Sequence, residues 1–385
     1  MMVALGPVSM AVYTPAMPDI VSAFATTEAA VKTTLTVYFA GFAFAQLFCG
    51  PLSDAVGRRP VTLGFIGLYL AASALGAFAP DIEWLIAARF LQGVGAAVGV
   101  VIARAMVRDL FAEESGARIM NLTGIILAVA PAIAPTLGGI VLGAAGWHAI
   151  FWLMVGYGLL ALATVAAMLP ETVERDLSRL QPMAVAASYA ELLAAPQFLF
   201  AALALGGAVG ALYAQATILP FLLMDRIGLT PTQFGLSMLM QSGAFFLGSL
   251  TARPMMRRHG AGGIVVPGLA LIGAGSVALA LGLTLFAPRF LSVMLPVASY
   301  AVGIAWVMPA LTTQALRPFA HMAGSASSMM GFLQMGLGLA GGALSAFVGD
   351  PALSMATIIP GLGALSILSY RLWRRGISAS ARSPG

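Results

Sequence analysis

Charge is what this sequence has least of. Only 9% of its 385 residues are Asp, Glu, Lys or Arg, against roughly 25% in soluble domains, so a water-soluble surface cannot be assembled from it. Cysteine is nearly absent: Cys49 stands alone, which excludes an intramolecular disulfide framework and gives no support to a zinc cluster. The histidines His148, His259 and His321 are isolated from one another along the chain. No nucleophile–base set and no metal-spaced cluster can be drawn, so neither catalysis nor a metal or cofactor is expected. No soluble signalling domain is present to suggest a receptor. A basic n-region ahead of the first apolar segment is also missing, and no cleavable signal peptide is expected. The pI near 9.7 does not imply nucleic acid, because the arginines fall singly or in pairs between apolar runs.

What the sequence has in abundance is apolar length. It is 60% hydrophobic with 44 glycines and a mean hydropathy of +0.96; membrane helices pack closely through such small residues. A spanning helix needs about 20 mostly apolar residues. Such segments are read at 1–18, 33–52, 61–79, 85–106, 119–142, 149–169, 197–223, 233–252, 263–286, 290–315, 323–348 and 352–372. Their length and internal Gly and Pro argue against barrel strands, which are about 10 residues long and alternate in polarity. The expectation is an all-α membrane protein of twelve transmembrane helices in two six-helix halves, 1–169 and 197–373. A polar linker, 170–196, separates the halves and a basic tail, 374–385, follows them. With a cytoplasmic N-terminus, only Lys32, Arg226 and Arg289 fall in outer loops, Arg89 lies within a helix, and the remaining basic residues face inward. The positive-inside rule thus predicts both termini in the cytoplasm.

The loop after the second helix runs from Gly50 through Asp54 and Gly57 to Arg58, Arg59 and Pro60. It must reverse the chain at the membrane face, so Gly57 is expected at positive φ. Asp54 is expected at a helix N-terminus or paired with arginine, with Arg58 and Arg59 at the inner leaflet; a purely topogenic loop would need no more. Arg89, in Arg89-Phe90-Leu91-Gln92-Gly93-Val94-Gly95, costs roughly 2.5–3.5 kcal/mol to insert and should face protein or water and find a partner, unless it snorkels from a helix end. Gly93 and Gly95 are not a dinucleotide loop, since no strand precedes them. The fifth helix carries Pro131, Pro135, Gly138 and Gly139, which predicts a bend with close packing.

These elements resemble the signatures of the major facilitator superfamily: G-x-L-x-D-x-x-G-R-R at 50–59, R-F-x-Q-G-x-G at 89–95, and a variant antiporter motif at 130–139 with Ala130 where glycine is usual. Pro15 and Pro18 resemble the P-x-x-P of drug–proton antiporters. The stretches Ala103–Asp109 and Ala323–Gln334 are similar to the bicyclomycin-resistance (Bcr/CflA) branch. The resemblance implies a loop that latches the halves and controls switching, an arginine associated with proton coupling, and export of small organic molecules across a bacterial inner membrane. A worn second copy of the loop signature begins at Gly248, with Ala252 where Asp54 stands in the first.

One departure is instructive. Members of that branch carry an acid in the first helix, and the matching position here is Ala11. Each of the 14 acids falls in a loop or near a helix end, and arginine cannot release a proton. Three accounts stay open: Asp19 pairs with Arg89 and titrates; Asp54, Asp225 or the substrate's own charge carries coupling; or the protein is a facilitator without proton coupling. For Asp19 the plainer reading is a solvated helix-end acid. Of the helices that line the cavity in this fold, as the resemblance implies, Tyr13, Tyr213, Gln215, Trp306 and Gln334 are the candidate substrate contacts, against a plainer reading as packing or helix–helix hydrogen bonds. So charge-poor a lining favours neutral or weakly charged small molecules. Protons and bilayer lipid are the other expected partners, and a monomer is expected. From Met1 to Pro18 the first helix covers only about 27 Å, so either it extends towards Phe24 or more chain precedes Met1.

Overall fold

The computed structural model describes residues 1–111, 113–177 and 181–380; the side chains at 104, 108, 113–118, 120–131, 261, 320, 321 and 377–380 are outside the description. Every regular element among the described residues is helical, because in hydrocarbon a chain must satisfy its backbone polar groups within itself. In order these are α1 (Leu5–Tyr13), α2 (Met17–Ala23), α3 (Glu28–Val56), α4 (Arg58–Ala77), α5 (Ile82–Ala96), α6 (Val98–Leu110), α7 (Glu113–Met168), α8 (Pro182–Ala194), α9 (Pro196–Pro220), α10 (Pro231–Gly263), α11 (Val265–Leu285), α12 (Phe290–Leu316), α13 (Ala323–Val348) and α14 (Pro351–Ser380).

Nine helices among the described residues are long and apolar enough to cross a membrane, and the other three spans of the twelve-helix fold are recognisable by position. The first is broken: α1 passes through a 3₁₀ turn, Thr14–Ala16, into α2, with Pro15 and Pro18 removing backbone donors. It therefore reaches Ala23. The fifth and sixth spans are the two parts of α7 on either side of Gly146, whose non-helical backbone (φ 75°, ψ 177°) divides them. The eighth is α10, whose polar C-terminal end turns at Gly260 (φ 73°). Thr27 caps α3 by accepting the Ala30 N–H, and Asp81 caps α5 through the Trp84 N–H at 2.7 Å.

The chain forms two compact units, residues 1–182 with 223–239, and 183–222 with 240–385. In the first, α4 packs on α5 and α7; in the second, α11 packs on α12 and α14. The same neighbour relation recurs, as two related six-helix halves require. Backbone-to-backbone approaches set the crossings. A Cβ on Gly93 of α5 would meet the Tyr38 carbonyl of α3, and one on Gly275 of α11 the Pro296 carbonyl of α12. Large apolar side chains such as Phe44, Leu160, Leu281 and Phe347 are exposed, an arrangement suited to lipid rather than water.

Lys32 departs from its sequence-based placement. It lies inside α3 rather than in a loop, fully buried, with Nζ 3.1 Å from Glu28.

Candidate functional site

The first unit contains two constellations built from signature residues. At the C-terminal end of α3, Gly57 sits at φ 113°, a value that glycine alone adopts without strain, and separates α3 from α4. Arg58 lies just beyond the turn and is buried. Its Nη2 is 2.5 Å from Asp54, its Nε donates to Asp109 of α6 at 3.1 Å, and its Nη1 donates to Ser53 at 2.6 Å. One guanidinium thus ties three acceptors through three separate nitrogens, a spread that the single nitrogen of an ammonium does not offer. Arg59 is exposed and donates to the Ala166 carbonyl of α7 at 2.7 Å. Gly50 lies within α3, one turn before Asp54.

Glu171, three residues past the end of α7, completes this cluster. Its carboxylate accepts the N–H groups of Arg58 (2.9 Å) and Arg59 (3.1 Å), and those of Thr172 and Val173. It caps the N-terminus of α4 from 113 residues away in sequence, satisfying donors that a helix start leaves open. Burial alone would raise its pKa, but these four backbone bonds outweigh it and hold the carboxyl below its usual value. Thr172 adds a bond to Asp109, and the Asp176 N–H donates to the Ala55 carbonyl at 2.9 Å.

The second constellation surrounds Arg89. It is fully buried on α5, with its guanidinium carbon 4.2 Å from the Tyr13 ring centroid and 4.4 Å from that of Tyr38. Nη1 donates to Gln92, one turn on. The rest of the box is satisfied without it: Tyr13 bonds Thr34 at 2.7 Å, Tyr38 donates to the Gly6 carbonyl at 2.9 Å, and the Gln92 amide donates to Ser73 at 2.7 Å. Nε and Nη2 of Arg89 find no acceptor among the described residues. No ion pair among the described residues joins Arg89 to a carboxylate; its electrostatic neighbours are Tyr13, Tyr38 and Tyr69. Asp19 lies elsewhere, exposed in the first turn of α2, within electrostatic range of Asp225.

The remaining sequence candidates divide. Pro131 lies outside the described side chains. Pro135 and Gly138 are buried; a Cβ on Gly138 would meet the Val12 carbonyl of α1, and one on Gly139 that of Pro231 in the same unit. In the second unit, buried Gln215 accepts from Gln241 at 2.7 Å, while its own amide nitrogen finds no acceptor among the described residues. Trp306 donates to the Gly248 carbonyl (3.1 Å) and to Thr251 (3.0 Å), a helix–helix bond to α10. Tyr213 packs where a Cβ on Gly338 would sit, and the Gln334 carbonyl borders Gly210. Sequence reasoning missed Tyr38, Asp109 and Glu171 as site residues. Two residues had a signal: Gln92, through its place in the Arg89 signature, and Asp109, as the last residue of the 103–109 stretch.

Comparison with known proteins agrees with this architecture. The sequence profile of the Major Facilitator Superfamily matches residues 1–370. The chain is 32% identical over 353 residues to the "Uncharacterized MFS-type transporter YdgK" of Bacillus subtilis, covering 88% of this chain and 85% of that one. It is 33% identical over 334 residues to a "Chloramphenicol resistance protein" of Pseudomonas aeruginosa (84% and 77% covered), and 30% identical over 344 residues to "Multidrug resistance protein MdtL" of Escherichia coli (87% and 83%). Among solved structures, a bacterial homolog of the human lysosomal transporter Spinster superposes with a TM-score of 0.70 over 97% of this chain and 94% of that one, at 14% identity, a likeness of fold. From its first helix to the end of its last span, this chain belongs to the major facilitator superfamily of multi-pass membrane transporters.

Proposed function

We propose that the chain is a secondary active exporter of small organic molecules, drugs among them, in exchange for protons by alternating access. The observation that carries this reading is similarity over most of the chain to proteins named for chloramphenicol and multidrug resistance. The motif stretches at 103–109 and 323–334 favour the Bcr/CflA branch. The arginine asymmetry favours a bacterial inner membrane with both termini cytoplasmic, and halves at 1–169 and 197–373. In this reading the Gly57–Arg58–Asp109–Glu171 cluster belongs to the switching loop, and a gradient worth roughly 2.3 kcal/mol per 100 mV per charge drives the cycle.

Everted membrane vesicles energised to an acidic interior test it. Chloramphenicol or another drug of a resistance panel is expected to accumulate and to release part of the pH gradient, and Arg89→Ala is expected to lose the effect. A second reading, a proton-independent facilitator of the same fold, is favoured by Ala11 and by the lack of a carboxylate beside Arg89 among the described residues. Entry of the drug only to equilibrium, at a rate unaffected by collapse of the gradient, selects it.

A further inference from the structure

The Arg89 box is satisfied everywhere except along one edge of the guanidinium. Nη1 is engaged by Gln92, and the phenols of Tyr13 and Tyr38 are turned to Thr34 and Gly6. The two atoms without an acceptor among the described residues, Nε and Nη2, are not an arbitrary pair. Their N–H bonds are parallel on the same side of the planar group, and together they form the fork that grips a carboxylate bidentately. The ring faces of Tyr13 and Tyr38 favour the cation's position but cannot fill those hydrogen bonds. A buried cation whose fork is unmet is costly, and it is normally matched by an anion. The position where an acid is expected in the first helix is Ala11, itself buried, and Asp19 is not among the groups that Arg89 senses.

We propose that the missing anion belongs to the cargo: the Nε–Nη2 edge of Arg89 is a binding subsite for the carboxylate of a monoanionic aromatic or apolar organic acid. This deepens the exporter reading and rests on it for access, since the box is sealed here and must open during the transport cycle. Counting from Asp81 at the helix cap, Arg89 lies about 12 Å into the span, deep enough for the rest of an amphiphilic acid to remain in apolar surroundings. The aromatic walls suit a planar ligand. A neutral isostere such as a primary amide offers the fork only one acceptor oxygen and brings no charge.

The test is equilibrium binding to the purified full chain in detergent, followed by calorimetry and thermal unfolding at constant ionic strength, with sodium benzoate and benzamide as a matched pair. Benzoate is expected to bind and raise the melting temperature, and benzamide to do neither. Arg89→Lys, which keeps the charge but not the fork, is expected to weaken benzoate at least about tenfold. Gln92→Glu, nearly the same shape, supplies an internal carboxylate and is expected to weaken it similarly while keeping the fold. It serves as the second arm should Arg89→Lys fold poorly. Equal effects of benzoate and benzamide, no benzoate-specific effect, or unchanged benzoate affinity in both variants would overturn the assignment. Drug export by vesicles is read separately, so loss of this subsite and loss of the exporter reading give different results.

Discussion

At the residue scale, the fold depends on single side chains that serve several partners at once. Arg58 touches Asp54, Asp109 and Ser53, and Arg58→Lys cannot reproduce this with one ammonium. Transport in vesicles is expected to fall at least about tenfold at normal expression, whereas Arg59→Lys, with its single exposed bond to Ala166, is expected to cost little. Glu171 gives a prediction with a definite pH window. Its folded pKa lies below the ordinary value of 4.5. The ionised cap therefore stabilises the folded state fully above the unfolded pKa, and this is lost as pH falls through the folded one. Glu171→Gln is expected to cost about 1 kcal/mol near neutrality, as loss of a cap does, with the gap in melting temperature closing only at acidic pH. A gap that stays constant down to strongly acidic pH would remove the capping carboxylate from the explanation. The sequence points to Arg58 and Arg89 because charge inside an apolar segment stands out. It does not point to Glu171 or Tyr38, because a partner over a hundred residues away, or a ring among many rings, has no local pattern.

At the scale of elements, periods of apolar residues reveal where helices lie but not where they break. The fifth and sixth spans, read separately at 119–142 and 149–169, are divided at Gly146, whose backbone leaves the helical region; the pattern leaves that position between two segments without saying how they join. The worn second loop signature shows the converse. Its turn comes at Gly260 rather than at the place of Gly57, where Met255 stands, so α10 runs more than a turn further before its break. Helix contacts then follow from missing side chains. Gly139 has the Pro231 backbone where its Cβ would be, while Gly143, one turn along α7, has nothing within 4 Å. Gly139→Ala is expected to cost about 1–3 kcal/mol through overpacking, and Gly143→Ala to be neutral or stabilising by up to about 1 kcal/mol from helix propensity. Thermal unfolding in detergent of the two variants checks this. Equal melting temperatures would mean that close packing at the antiporter-motif helix contributes nothing to stability.

At the scale of the whole molecule, the decisive quantity is which face of the bilayer each turn occupies, and the basic residues predict it. The chain is well suited to a direct measurement, because its only cysteine, Cys49, is fully buried within α3 and is expected to stay silent towards a water-borne thiol reagent. Single cysteines can therefore be introduced at exposed positions on either side: Glu83 at the start of α5 and Ala287 between α11 and α12 for the outer face, and Glu174 in the linker for the inner face. None of the three carries a capping or ion-pair contact described above, so the fold is expected to tolerate them. In intact cells a membrane-impermeant maleimide is expected to label Glu83→Cys and Ala287→Cys and to spare Glu174→Cys, with the pattern reversed in everted vesicles. The positive-inside bias acts on short loops near the helix ends, and Arg175 stands beside Glu174 while Arg58 and Arg59 bond to Glu171. Labelling of Glu174→Cys from outside would thus invert the orientation of the Arg58 cluster and of the Arg89 fork together, turning the proposed direction of transport with them.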